Sequence, residues 1–178
     1  PPAIWRARTT VLRDYGQVPE AADAVGPPLL VVPSLINRAY VLDLKARTSF
    51  LRDLASRGWR PLLVDWDRPG VAERGFDVTD YVAGRLEAAL DAACDLAGGR
   101  VPVLGYCMGG TLGVALAQRR PRDVAALGLL AAPWDFHAEQ AAQAALVAQM
   151  GRALEPILQW HGELPVEMIQ SLFNGLDP

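Results

Sequence analysis

The chain has 178 residues, 51% hydrophobic and 21% charged, with a net charge of −3; this describes one globular domain's worth of sequence with room for a sizeable core. The acidic balance excludes a nucleic-acid binder that works by neutralising phosphates. No apolar run approaches a membrane span, and the opening residues lack a signal-peptide pattern.

Residues 4–15 are strand-like, with Thr9, Thr10, Val11 and Leu12 expected at the edge of a sheet, and 17–28 read as a Pro-, Gly- and Ala-rich loop. Leu29-Leu30-Val31-Val32, bounded by Pro28 and Pro33, is predicted to be a strand buried on both faces. A helix is expected over 48–57, with Phe50, Leu51, Leu54 and Ala55 on one face and Gly58 as its stop. Residues 61–66 form the next predicted strand. A long helix is predicted from about Asp77, with Val82, Leu86, Ala89, Ala93 and Leu96 at helical spacing and Cys94 in a packing role near its buried side.

Val101 to Leu104 reads as a further buried strand, Gly109 to Arg120 as a helix stopped by Pro121, and 124–132 as one more buried strand. Alternating strands and helices predict a parallel α/β sheet, whose ligands sit at the carboxyl ends of the strands. Three loops are expected to converge there: 33–40, 65–70 and 133–137. Beyond Phe136 the pattern turns alanine-rich and helical, with an interruption expected near Pro156 and a second helix over 165–173. Met168, Ile169, Leu172 and Phe173 would form an apolar stripe on that second helix, which reads equally as part of a cap or as a packing element.

The segment Leu104-Gly105-Tyr106-Cys107-Met108-Gly109-Gly110 carries the chemistry. Strand, glycine-flanked turn and helix make a nucleophile elbow with cysteine at the apex in place of serine. Gly105 and Gly109 leave room for the strained turn, and Gly110 and Gly113 let the helix lie close to the strands. Cys107 at the helix N-terminus meets unpaired N–H groups that favour negative charge on sulfur. The Met108 N–H occupies the position that supplies one oxyanion donor in such elbows. Cys94, Cys107, His137 and His161 have no zinc-site spacing, so a reduced, cytoplasmic protein without metal, cofactor or disulfide is expected.

These residues, together with Leu29-Leu30-Val31-Val32-Pro33, the loop Ile36-Asn37-Arg38-Ala39-Tyr40-Val41-Leu42-Asp43-Leu44, Leu63-Val64-Asp65-Trp66 and Trp134-Asp135-Phe136, resemble the catalytic region of polyhydroxyalkanoate synthases. The match is good from Leu29 to Phe136 and weaker beyond. The resemblance implies an α/β-hydrolase-type sheet flanked by helices, with a core over 1–136 and the start of a helical cap over 137–178. It implies Cys107 as nucleophile toward the thioester of a 3-hydroxyacyl-coenzyme A, with the backbone N–H groups of Met108 and Ile36 as the oxyanion hole. Coenzyme A enters as part of the substrate, and a second synthase subunit or a homodimer, at the surface of polymer granules, is the implied setting.

The family's catalytic histidine and aspartate follow later strands, so neither is assigned in this sequence. His137 and Asp135 align with the approach to the cap rather than with that pair, and His161 reads as a helix-end residue. The sequence starts at Pro1 and stops at Leu176-Asp177-Pro178 without a polar tail, so the C-terminal strands of the fold are expected to be missing and the chain to be inactive alone. Three readings stay open: an acyltransferase that polymerises 3-hydroxyacyl units, a thioesterase or polyester hydrolase, and a non-catalytic module of the same fold.

Overall fold

The computed structural model describes residues 1–22, 26–135 and 141–174. Two compact units divide the chain, Pro1–Pro133 and Trp134–Pro178.

The first unit is a six-stranded sheet in the order β1 (Ala3–Ala7), β2 (Thr10–Asp14), β6 (Arg60–Asp65), β3 (Pro28–Val32), β7 (Val101–Tyr106) and β8 (Val124–Leu130). Its centre is set by the apolar runs expected to be strands. β3 (Pro28–Val32) lies between β6 (Arg60–Asp65) and β7 (Val101–Tyr106), parallel to both. Leu30, Val31, Val32, Leu62, Val64 and Val101 are fully buried, as expected of strands covered on both faces. β8 (Val124–Leu130) extends the parallel set beyond β7.

Residues 4–15 differ from the single edge segment expected. They fold as a hairpin, β1 (Ala3–Ala7) and β2 (Thr10–Asp14), turning at Arg8 with φ 55°. β2 is an inner strand, antiparallel to β6, and Val11, Leu12 and Asp14 are buried. The turn hides in the sequence because a non-glycine residue takes the left-handed conformation.

Two short strands, β4 (Asp43–Lys45) and β5 (Thr48–Ser49), lead into α1 (Phe50–Ser56), whose N-cap Ser49 accepts the Arg52 N–H at 3.1 Å. Gly58, at φ 87°, follows α1 as expected. The long helix starts with a wide π-helical stretch, Asp80–Leu86, before α2 (Glu87–Ala97). Val82, Leu86, Ala89 and Ala93 are buried as predicted, with Leu90 added, but Leu96 faces solvent. Leu96 keeps the helical spacing from Ala89 and Ala93 but lies in the last turn of α2, next to its end at Ala97. α3 (Met108–Arg119) and α2 cover one face of the sheet through Val103, Leu112 and Leu116; α1 covers the other through Val31, Leu51 and Leu63.

β8 was expected to be buried, yet Ala125, Ala126 and Gly128 through Leu130 are exposed. It is the outer strand, with no further strand paired to it among the described residues, so an apolar run that reads as buried on both faces is left open here.

In the second unit α4 (Ala141–His161) runs unbroken through Pro156, where an interruption was expected. Proline removes one hydrogen bond, that to the Arg152 carbonyl, and the flanking turns hold. α5 (Val166–Asn174) follows. The expected boundary at Phe136/His137 lies outside the described residues, as do the side chains of Leu172 and Phe173 and residues 175–178.

Candidate active site

The turn at Cys107 has the strained geometry that its sequence demands. Cys107 sits at φ 54°, ψ −131°, between the end of β7 and the first residue of α3; a non-glycine residue persists there only when its surroundings hold it. They do so from both sides. The Cys107 N–H donates to the Leu130 carbonyl at 2.9 Å, and the Cys107 carbonyl accepts the Gly110 N–H at 2.8 Å. A Cβ at Gly105 would overlap the Gly110 backbone, one at Gly109 the carbonyls of Val32 and Pro33, and one at Gly110 the Ala132 side chain. Strand β3 and α3 therefore meet without side chains between them, and the exit of β8 meets the same helix through the Ala132 methyl. The Cys107 thiol is half-buried.

The two expected oxyanion donors stand differently. Met108 opens α3, so its N–H has no acceptor within the helix. The Ile36 N–H donates to Ser34 Oγ at 3.1 Å, and Ser34 is buried. This amide is thus engaged in a local turn, and an oxyanion would have to share or replace the hydroxyl. Sequence reasoning missed Ser34, although a serine two residues before the amide in question was the available signal.

The rest of that loop is anchored by charge. After a 3-10 turn at Ala39–Leu42, Asp43 accepts the Tyr15 hydroxyl at 2.8 Å and Arg52 Nε at 2.9 Å, while Arg52 also reaches Glu20 at 2.8 Å. Burial alone would raise the Asp43 carboxyl, but hydrogen bonds from Arg52, Ser49 and Tyr15 outweigh it and hold it below the usual carboxylate range. Burial and the Asp43 carboxylate push the Tyr15 hydroxyl well above the ordinary phenol range.

The loop after β6 reaches the same place. Trp66, 6% exposed, donates its indole N–H to the Pro33 carbonyl at 3.2 Å. Asp65 holds Arg13 at 2.7 Å. A cavity of about 340 Å³ opens beside the carboxyl end of β6, lined in part by Arg13, Arg38, Tyr40, Asp65 and Asp67. Behind the elbow, Thr111 Oγ1 donates to the Pro133 carbonyl at 2.7 Å. Loops 33–40 and 65–70 therefore come together at Pro33, beside the elbow.

Other residues singled out in the sequence stand apart. Cys94 is half-buried with Sγ 3.8 Å from the Asp123 carbonyl oxygen, and burial pushes its thiol up, in keeping with a packing role. Asp135 belongs to the second unit, and His137 lies outside the described residues. His161 ends α4, edge-on to Trp160. Among the described residues no group of three or more His, Cys, Asp or Glu side chains is placed to hold a metal ion. No described helix is long and apolar enough to cross a membrane.

The sequence pattern of the alpha/beta hydrolase fold matches residues 27–175. A poly(3-hydroxyalkanoate) polymerase subunit PhaC from Haloarcula marismortui is 31% identical over 152 residues, covering 85% of this chain and 32% of that protein. The subunit PhaC from Allochromatium vinosum is 28% identical over 177 residues, covering 99% of this chain and 49% of its own length. The chain thus spans about a third to a half of these curated relatives. Among solved structures, lipase BlEst2 of Bacillus licheniformis superposes with a TM-score of 0.52 at 20% identity, over 68% of this chain and 46% of that one. Epoxide hydrolase VrEH1 of Vigna radiata gives 0.51 at 19%, over 71% and 35%. At such identities the two structures speak for the fold alone.

Proposed function

As the chain belongs to the alpha/beta hydrolase fold family, we propose that it is the nucleophile-bearing part of an acyltransferase that polymerises 3-hydroxyacyl units from coenzyme A thioesters. The observation that carries the reading is Cys107 held at positive φ on the N-terminus of α3, where a serine hydrolase would carry its hydroxyl. Similarity to proteins named poly(3-hydroxyalkanoate) polymerase supports the substrate class.

In this reading the Cys107 thiolate attacks the thioester carbonyl. A bond forms between Sγ and the acyl carbon, and the oxyanion is met by the Met108 N–H and an amide of the loop after β3. The bond to the coenzyme's sulfur then breaks, and the coenzyme leaves as a thiolate that takes up the proton the Cys107 thiol has given up. Two thiols of similar basicity exchange the acyl group with little change in free energy. The enzyme thioester therefore keeps the drive to acylate the hydroxyl of the next unit, which a serine ester would have lost. In this reading the general base comes from later strands of the full-length protein, and a second synthase subunit and the surface of a polymer granule are its setting.

Incubation of the full-length protein with 3-hydroxybutyryl-coenzyme A tests the reading. Coenzyme A release accompanied by polymer, both abolished by Cys107→Ala, is the expected result. Free 3-hydroxy acid as the sole product would replace it with a thioesterase, and no acyl transfer at all with a binding module.

A further inference from the structure

We propose that Trp66 is a positioning residue for the oxyanion loop, setting the backbone after β3 against the elbow; this rests on the acyl-transfer reading above. Pro33 is the first residue out of β3, and its carbonyl is gripped from two directions. The Trp66 indole N–H donates to it at 3.2 Å from a site 6% exposed. Gly109, two residues after the nucleophile, approaches so closely that a Cβ would overlap that carbonyl. Because the peptide is planar and trans, fixing the Pro33 C=O also fixes the direction of the Ser34 N–H and the start of the turn in which Ser34 Oγ receives the Ile36 N–H.

Trp66 is itself held. Its ring meets Tyr81 edge-on at 5.7 Å, Tyr81 meets Phe76 at 5.5 Å, and the Arg85 guanidinium lies over Phe76 at 5.1 Å. Arg85 reaches Glu73 at 3.3 Å, which accepts the Gly70 N–H at 3.0 Å. Tyr81 and Arg85 both lie in the π-helical stretch, Asp80–Leu86. That widened helix thus has a use: it braces, through edge-on rings, a tryptophan whose one polar atom is spent on the backbone beside the nucleophile.

Trp66→Phe keeps an aromatic ring against Tyr81 and removes the N–H; benzothienylalanine at the same position keeps the bicyclic shape and serves if the phenylalanine variant does not fold. In the full-length protein, amide hydrogen exchange over residues 34–42 should quicken about tenfold while β7 stays protected, the worth of one neutral hydrogen bond. Acylation of Cys107 by 3-hydroxybutyryl-coenzyme A should slow about tenfold at unchanged KM. Alkylation of Cys107 by iodoacetamide, which needs no oxyanion hole, should keep its rate. Unchanged exchange in the loop, or unchanged acylation, would overturn the proposal, and so would a parallel fall in alkylation, which marks a general loss of structure. If the unmodified protein is not acylated by any thioester, the acyl-transfer reading fails, and the exchange measurement alone still decides whether Trp66 holds the loop.

Discussion

The Ile36 amide donates to the Ser34 hydroxyl at 3.1 Å, so the loop after β3 is closed by a side chain that is itself buried. The hydroxyl does for this backbone what a tight-turn carbonyl does elsewhere: it satisfies an N–H at the point where the chain leaves β3. It also gives that amide a definite direction before any ligand arrives.

Ser34→Ala should therefore cost about 1 kcal/mol of stability and slow acylation of Cys107 several-fold with little effect on KM. Denaturant titration and single-turnover kinetics check the two parts. A variant as stable and as fast as the parent would show that the turn is held by its neighbours alone.

Gly109→Ala and Gly84→Ala should move stability in opposite directions. A Cβ at Gly109 overlaps the Val32 and Pro33 carbonyls, which are backbone and cannot step aside, whereas nothing lies within 4 Å of the same addition at Gly84. The expected changes are a loss of about 2–3 kcal/mol at Gly109 and a gain of about 1 kcal/mol at Gly84 from helix propensity. Urea melts of the two variants give the comparison directly.

Acid should loosen the fold through Asp14. This carboxylate is fully buried and accepts from Arg60, Gln17 and the Gly16 N–H. Burial alone would raise it, but those hydrogen bonds outweigh burial and hold it below its ordinary value. A depressed folded-state value means that the unfolded chain binds more protons at low pH. The stabilisation is therefore complete above about pH 4 and is lost as pH falls through the depressed value. Asp14→Asn should flatten the stability–pH curve below pH 4, and at neutral pH cost about 3 kcal/mol by stranding Arg60. Melting curves across pH 2–7 decide it; an unchanged slope would remove Asp14 from the account.

The outer edge of β8 should drive association of the 178-residue chain. Ala126 is exposed there, in a strand that pairs only with β7 among the described residues, and open apolar edges recruit other strands. Ala126→Lys should raise the monomer fraction in sedimentation velocity without changing the far-UV signal. Equal association in both forms would place the contact elsewhere.

Much of this was legible beforehand where the period of the sequence and the period of the structure agree. The turn at Cys107 showed itself because glycines on both sides of one residue, after an apolar run and before a helical one, mark a sharp strand-to-helix change. β3, β6 and α1 showed themselves by runs and caps within ten residues. What stayed hidden depends on partners far apart in the chain: Arg60 lies 46 residues from Asp14, and Trp66 33 residues from Pro33. No local spacing announces those pairs. The β1–β2 turn was masked by Arg8 in a glycine-like conformation, and the exposure of Leu96 by its place in the last turn of α2, where spacing alone still reads as buried.

Thr111 on α3 donates to the Pro133 carbonyl just where the first unit ends, and that bond fixes a natural exchange point. Whatever follows Pro133 can be lengthened, shortened or traded for a segment from another member of the family, while the turn at Cys107 keeps its seat. A chimera joined after Pro133 would vary the second unit and leave the backbone around Cys107 as it is.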